Sequence, residues 1–267
     1  MGAVVCPARR LSVLLLLLLG AAGPDAASCP GPAVAYEVVA HHDHDSTFFT
    51  QGLAFTHDGT LLEGTGRYGH SLLTARTFPA GERLERVPLA HHHFGEGVTA
   101  LGERVYQLTW KAGEALVYRL PGLERIAVHD YQGQGWGLSH DGEHLIMSDG
   151  SHELAFRDAD DFSLLGRLPV RLDGRPLAGL NELEYVTGEY VAGTLYANVW
   201  PTDCIARIDA ASGRVTGMLD LAPLRVLMAP LDPEAVANGI AFHPPSGHLL
   251  VTGKLWPRLF ELRLRSP

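Results

Sequence analysis

The residues best equipped for chemistry are scarce types in recurring places. Of four tryptophans, Trp110, Trp136 and Trp200 fall at related points of a repeating pattern, and Trp256 follows Lys254 closely. Three indoles around one opening would form an apolar box that stacks a small group and excludes water. Glu63 lies in Leu61-Leu62-Glu63-Gly64-Thr65-Gly66. A carboxyl beside such a box is partly desolvated, which raises its pKa toward neutrality and lets it both accept and give a proton. Lys111 and Lys254 are the only lysines against nineteen arginines, so Lys254 departs from the chain's preference for the rigid guanidinium fork and supplies a compact charge instead.

Other chemistries lack their residues. The histidine runs His41, His42, His44 and His91, His92, His93 tempt a metal reading, but neighbouring residues on a strand point to opposite faces. No H-E-x-x-H or Cys/His finger spacing is present, so no catalytic metal is expected. Gly64-Thr65-Gly66 and residues 133–137 do not make a phosphate loop, and no G-x-S-x-G elbow occurs. A formal charge of −9 over 267 residues argues against a nucleic-acid partner, which calls for a basic stripe.

The elements that must carry these residues repeat. A polar-Gly-apolar trio recurs as Gln51-Gly52-Leu53, Glu96-Gly97-Val98, Gln134-Gly135-Trp136, Asn181-Glu182-Leu183 (Glu for Gly) and Asn238-Gly239-Ile240, spaced 45, 38, 47 and 57 residues apart. A turn signal and a short apolar run follow each trio, then a third run, and in four units a fourth. No segment shows a clear helical period; 221–237 has room for a short helix or loop. Four strands in about 40–50 residues is a propeller blade. The fold expected is all-β, a five-bladed β-propeller, in which the N-terminal strand Ala33–Ala40 completes the last blade and closes the ring. Closure removes two sheet edges that would invite association, so a monomer is expected. First strands line the axis, which places Gln51, Glu96, Gln134, Asn181 and Asn238 in a polar ring that leaves room for a structural cation. Second strands end at one mouth with Glu63, Trp110, Asp149, Trp200 and Lys254.

Residues 1–28 read as an address. Arg9 and Arg10 precede the apolar run Leu11–Leu19, too short for a comfortable membrane span, and small residues lead to a cut before Cys29. The expectation is a secreted or periplasmic domain over 29–267, with a lipid anchor at Cys29 as the alternative. Cys29 and Cys204 remain after such a cut. They can pair in an oxidising compartment, but two cysteines make no framework, and the reading adopted is a terminal Cys and an unrelated buried one.

From Phe48 to Leu262 the chain resembles the plant- and bacterial-type glutaminyl-peptide cyclotransferases. The motifs include Phe49-Thr50-Gln51-Gly52-Leu53, Glu63-Gly64-Thr65-Gly66-Arg67-Tyr68-Gly69, Phe94-Gly95-Glu96-Gly97-Val98-Thr99, Gly135-Trp136-Gly137-Leu138, Leu180-Asn181-Glu182-Leu183, Ala197-Asn198-Val199-Trp200 and Thr252-Gly253-Lys254-Leu255-Trp256-Pro257. The resemblance implies a five-bladed propeller that converts an N-terminal Gln to pyroglutamate, releases ammonia and needs no cofactor. It casts Glu63 as the proton carrier, Phe49 as an apolar wall, and Gln51, Trp110, Trp136, Asn181, Trp200 and Lys254 as the rest of the pocket; in the mechanism expected, Lys254 or Asn181 hydrogen-bonds the developing oxyanion. The chain departs from the family pattern at Gln134 (a Glu there), at Leu61 (often aromatic) and in an insertion between 189 and 196. A non-catalytic secreted propeller that binds a peptide in the same mouth is the rival reading, and a metal-dependent propeller hydrolase is a third.

Overall fold

The computed structural model describes residues 29–186, 193–229 and 231–265. The proposed leader lies outside them, as does the first half of the 189–196 insertion, residues 189–192. Strand β1 is Tyr36–Asp43. The first blade follows as β2 (Thr50–Phe55), β3 (Leu61–Thr65), β4 (Leu72–Arg76) and β5 (Arg83–Pro88). The second is β6 (Gly95–Leu101), β7 (Arg104–Thr109), β8 (Glu114–Arg119) and β9 (Glu124–Asp130). The third is β10 (Leu138–His140), β11 (Leu145–Met147), β12 (Glu153–Arg157) and β13 (Leu164–Pro169). A small hairpin, β14 (Arg171–Leu172) and β15 (Arg175–Pro176), leads to the fourth blade: β16 (Leu180–Val186), β17 (Thr194–Val199), β18 (Cys204–Asp209) and β19 (Val215–Asp220). Helix α1 (Ala222–Val226) sits before β20 (Ala237–His243), β21 (His248–Gly253) and β22 (Arg258–Leu264).

Each blade is a four-stranded antiparallel sheet in chain order, except the last, which runs β1-β22-β21-β20. The N-terminal strand therefore closes the ring by pairing with β22, Tyr36 opposite Leu264 and Asp43 opposite Arg258. It starts three residues later than Ala33; that segment instead bridges blade four, Ala33 to Met218.

The core is divided among the blade interfaces. Leu62, Leu73, Val98 and Leu116 join blades one and two; Leu108, Leu138 and Leu145 join two and three; Leu53, Leu61, Ala241 and Leu250 join five and one. Because the blades approach so closely at the axis, small residues are needed there: a Cβ on Gly52 would lie 2.3 Å from the Val98 nitrogen, and one on Gly97 would lie 2.5 Å from the Leu138 nitrogen.

One expectation is overturned: Cys29 and Cys204 form a disulfide. The segment after Cys29 runs beside β19, where Val34 donates its N–H to Met218 O and Met218 returns one to Pro32 O. That path delivers residue 29 to the start of β18, with the two Cα atoms 5.7 Å apart. No described helix is long and apolar enough to cross a membrane.

Candidate active site

One mouth of the ring holds a cavity of about 350 Å³ lined by Phe49, Gln51, Phe94, Glu96, Trp110, Trp136, Asn181, Trp200 and Lys254. Strand register explains the convergence. Thr50 lies opposite Thr65, Gly95 opposite Thr109, Leu180 opposite Val199 and Ala237 opposite Gly253. The starts of first strands and the ends of second strands thus meet at one end of the barrel. Four of the five first strands break register at this level, between Thr50 and Gly52, Gly95 and Val98, Leu180 and Leu183, and Ala237 and Ile240. Such bulges re-aim side chains, and the first residues inside them are Gln51, Glu96, Asn181 and Asn238.

Eight residues of the expected site need placing. Phe49, Gln51, Trp110, Trp136, Asn181, Trp200 and Lys254 all line the cavity. Glu63 does not. It lies in mid-β3, opposite Leu53 and Thr74, three residues short of the strand end that matches Trp110, Trp200 and Lys254. Gly66 holds that matching place. The neighbouring Gly64 faces blade two, where an added Cβ would lie 2.8 Å from Glu96 O, so Glu63 projects from the opposite face of β3. There its Oε1 meets His44 Nε2 at 2.8 Å and accepts from Thr50 Oγ1 at 2.8 Å, and Arg76 Nη2 stands 3.3 Å from Oε2. Burial alone would raise its pKa, but the charge and hydrogen bond of His44, with Arg76 and Thr50, hold it below the usual carboxylate value. The expected upward shift is reversed.

A second correction concerns blade three. Gly97 donates to Trp136 O, and Leu138 pairs with Met147 as Val98 pairs with Gln107. The unit equivalent to Glu96-Gly97-Val98 is therefore Trp136-Gly137-Leu138, two residues later than the expected trio. Trp136 replaces Gln134 in the axial ring. Gln134 sits outside it, and its Oε1 accepts from Trp110 Nε1 at 2.7 Å and Trp136 Nε1 at 3.1 Å. It pins two walls of the box. Trp200 closes a third, its ring 5.6 Å from that of Trp136 and edge-on. Trp256 is core: it is fully buried under Gly253.

Glu96 is the cavity's carboxyl. It is buried, accepts from Gln51 Nε2 at 3.0 Å, and is pushed well above the ordinary range by desolvation, which Lys254 only partly offsets. Gln51 is itself oriented by Asn238, whose Nδ2 donates to Gln51 Oε1 at 3.2 Å. Burial lowers the Lys254 pKa, and its ammonium stands 4.9 Å from the Phe49 ring centroid. Asn181 presents a buried Oδ1 that has no partner among the described residues. Glu96 was placed at the axis by sequence but given no chemistry; the available signal was that it is the one carboxyl among the five axial residues. Phe94 was missed as a wall.

Among the described residues His92, His93 and Glu114 bring donor atoms within 4.8 Å of one another; none of the three lines the cavity. Deeper in the channel Glu182 spends its oxygens on the N–H groups of Leu53 and Ile240.

Comparison with known proteins agrees with this architecture. Residues 11–264 match the family model described as Glutamine cyclotransferase. The chain belongs to the glutamine cyclotransferase family. As a member it is an enzyme, a cyclotransferase. It is 38% identical over 235 residues to a Glutaminyl-peptide cyclotransferase of Arabidopsis thaliana, an alignment that covers 86% of this chain and 71% of that one. It superposes on the crystal structure of Myxococcus xanthus glutaminyl cyclase with a TM-score of 0.78 at 36% identity, over 88% of this chain and 98% of the other.

Proposed function

We propose that this cyclotransferase acts on peptides or proteins with an N-terminal Gln, closing that residue to pyroglutamate with release of ammonia, and that Glu96 carries the proton. The observation that supports this most is a fully buried carboxyl, raised in pKa, inside an indole-walled cavity large enough for one residue. The substrate's α-amine attacks its own γ-carboxamide carbon. The C–N bond to the attacking nitrogen forms, the bond to the amide nitrogen breaks, and one proton travels from the first nitrogen to the second, so that NH₃ departs. Nucleophile and leaving group both belong to the substrate, so the scheme requires no Ser or Cys nucleophile, metal or cofactor.

Each wall has a task. Trp110, Trp136 and Trp200 hold the side chain folded back on the amine, which makes the attack effectively unimolecular. The unpartnered Asn181 Oδ1 accepts an N–H of the amine or carboxamide. Lys254 donates to the oxygen that becomes an oxyanion. Glu96, raised well above the usual carboxylate range by desolvation, accepts the amine's proton and passes it to the leaving nitrogen, a service worth about 10²–10⁴-fold. The role foreseen for Glu63 thus passes to Glu96. The test is ammonia release from a Gln-initiated tripeptide amide, with and without chelator. Glu96→Gln should lower kcat at least about 100-fold with its fold intact by circular dichroism; near-normal turnover defeats the assignment.

We also propose export to an oxidising compartment. The leader-like segment supports it, and so does the disulfide, which uses the Cys29 sulfur that a thioether-linked lipid would require.

A further inference from the structure

Beside the cavity lies a larger cleft of about 790 Å³, and the two share Phe49 as a wall. Lys254 attends that ring from the cavity at 4.9 Å; Arg67, which lines only the cleft, holds its guanidinium 4.8 Å from the same centroid. A peptide whose first residue fills the cavity can leave past this shared wall, and the cleft has room to receive it.

The cleft is built with strain. Arg67 and Leu255 both line it, and both hold non-glycine backbones at positive φ, 108° and 59°. Such conformations persist where surroundings enforce them, and they gather at functional sites. Here the Arg67 carbonyl accepts from His70 N–H at 3.0 Å and Ser71 Oγ at 2.8 Å, while Leu255 N–H donates to Phe48 O at 2.7 Å. The outcome is that Arg67 is held over the exit.

The cleft's ionisable lining is Arg67, Arg86, His70 and Asp232. Arg67 Nη2 meets Glu234 at 2.8 Å in an exposed pair, the kind that is worth little and exchanges readily. Arg86 makes no ion pair among the described residues. Arg67 and Arg86 are therefore matched in number by Asp232 and Glu234, but Arg86 is left without an ion-pair partner among the described residues and the Arg67 pair is exposed and exchangeable; guanidinium matches carboxylate in a two-point fork.

We infer that the cleft seats the substrate beyond its first residue and that Arg67, with Arg86, selects a carboxylate side chain at the second position. This rests on the cyclotransfer reading above. The test compares kcat/KM for Gln-Glu-Ala-amide and Gln-Lys-Ala-amide at low salt. The wild type should favour the acidic peptide about 10-fold, and the preference should shrink toward unity at about 0.5 M salt. In Arg67→Gln/Arg86→Gln it should fall to about 2-fold. The ratio is independent of how much variant is folded, so a structural role would not move it. A wild-type ratio near one, or an unchanged ratio in the double variant, overturns the inference while leaving cyclotransfer intact. Absence of ammonia from both peptides overturns the cyclotransfer reading and this one with it.

Discussion

Glu63 and Glu96 are both buried carboxyls, yet their surroundings push them in opposite directions. Glu63 faces a histidine and an arginine and is held ionised; Glu96 faces a glutamine amide and an apolar box and is held toward its neutral form. The first is a structural ion, the second suits proton transfer. Glu63→Gln should therefore cost stability, about 3–5 kcal/mol because it strands the buried His44 charge, while the folded fraction keeps turning over substrate. The pH dependence has a defined sign. Glu63, lowered in the fold, contributes fully above its ordinary value of 4.5 and loses that contribution as pH falls through its folded pKa. His44 is raised because Glu63 outweighs the opposing burial. It contributes fully below its ordinary 6.5 and loses that as pH rises through its folded pKa. Urea midpoints of wild type and variant should thus differ most between these two values; a gap that keeps growing above pH 8 would contradict the pairing. Sequence made Glu63 attractive because its motif was intact. Which face of β3 it occupies depends on a three-residue offset that composition does not register.

At the scale of strands, the site is made by bulges. The count of blades, the strand order and the closing strand were all readable, because short apolar runs separated by Gly turns record them directly. The phase inside a blade was harder. Blade three carries Gly135 and Gly137 on either side of Trp136, and either glycine completes a plausible trio; only the close packing of Gly137 against the Asn181 carbonyl, where a Cβ would lie 2.0 Å away, decides it. The same packing yields a prediction. In Gly97→Ala the new methyl would meet backbone of blade three, which cannot rotate away, and the adjacent Glu96 would shift. A stability loss of about 3 kcal/mol is expected, with a fall in kcat/KM. Gly166→Ala in β13, where a Cβ meets nothing within 4 Å, should change the denaturation midpoint little. Equal effects at the two positions would show that axial packing does not set the tolerance.

For the whole molecule the question is how a ring of sheets stays shut. Pairing β1 with β22 makes the last blade depend on an N-terminal strand, and an edge strand of this kind would fray easily. The disulfide acts one step earlier. It fixes residue 29 to β18 in blade four, so the segment between Cys29 and β1 spans the junction of blades four and five and is held at both ends. The pairing was not legible in the sequence, since it depends on the chain returning past β19 rather than going straight to the last blade. With 175 residues between the cysteines, the cross-link restrains most of the unfolded chain, and losing it should cost about 2–5 kcal/mol. Replacing Cys29 and Cys204 together by Ser should lower the urea midpoint by that amount and open β1 first, seen as faster amide exchange in 36–43 than in β16–β18. Neither cysteine lines the cavity, although Cys204 pairs with Val199 next to the wall residue Trp200, so kcat/KM on a Gln-initiated peptide should stay within about twofold at 25 °C. If exchange rises instead across all blades together, the ring opens cooperatively and the tether is not what guards its seam.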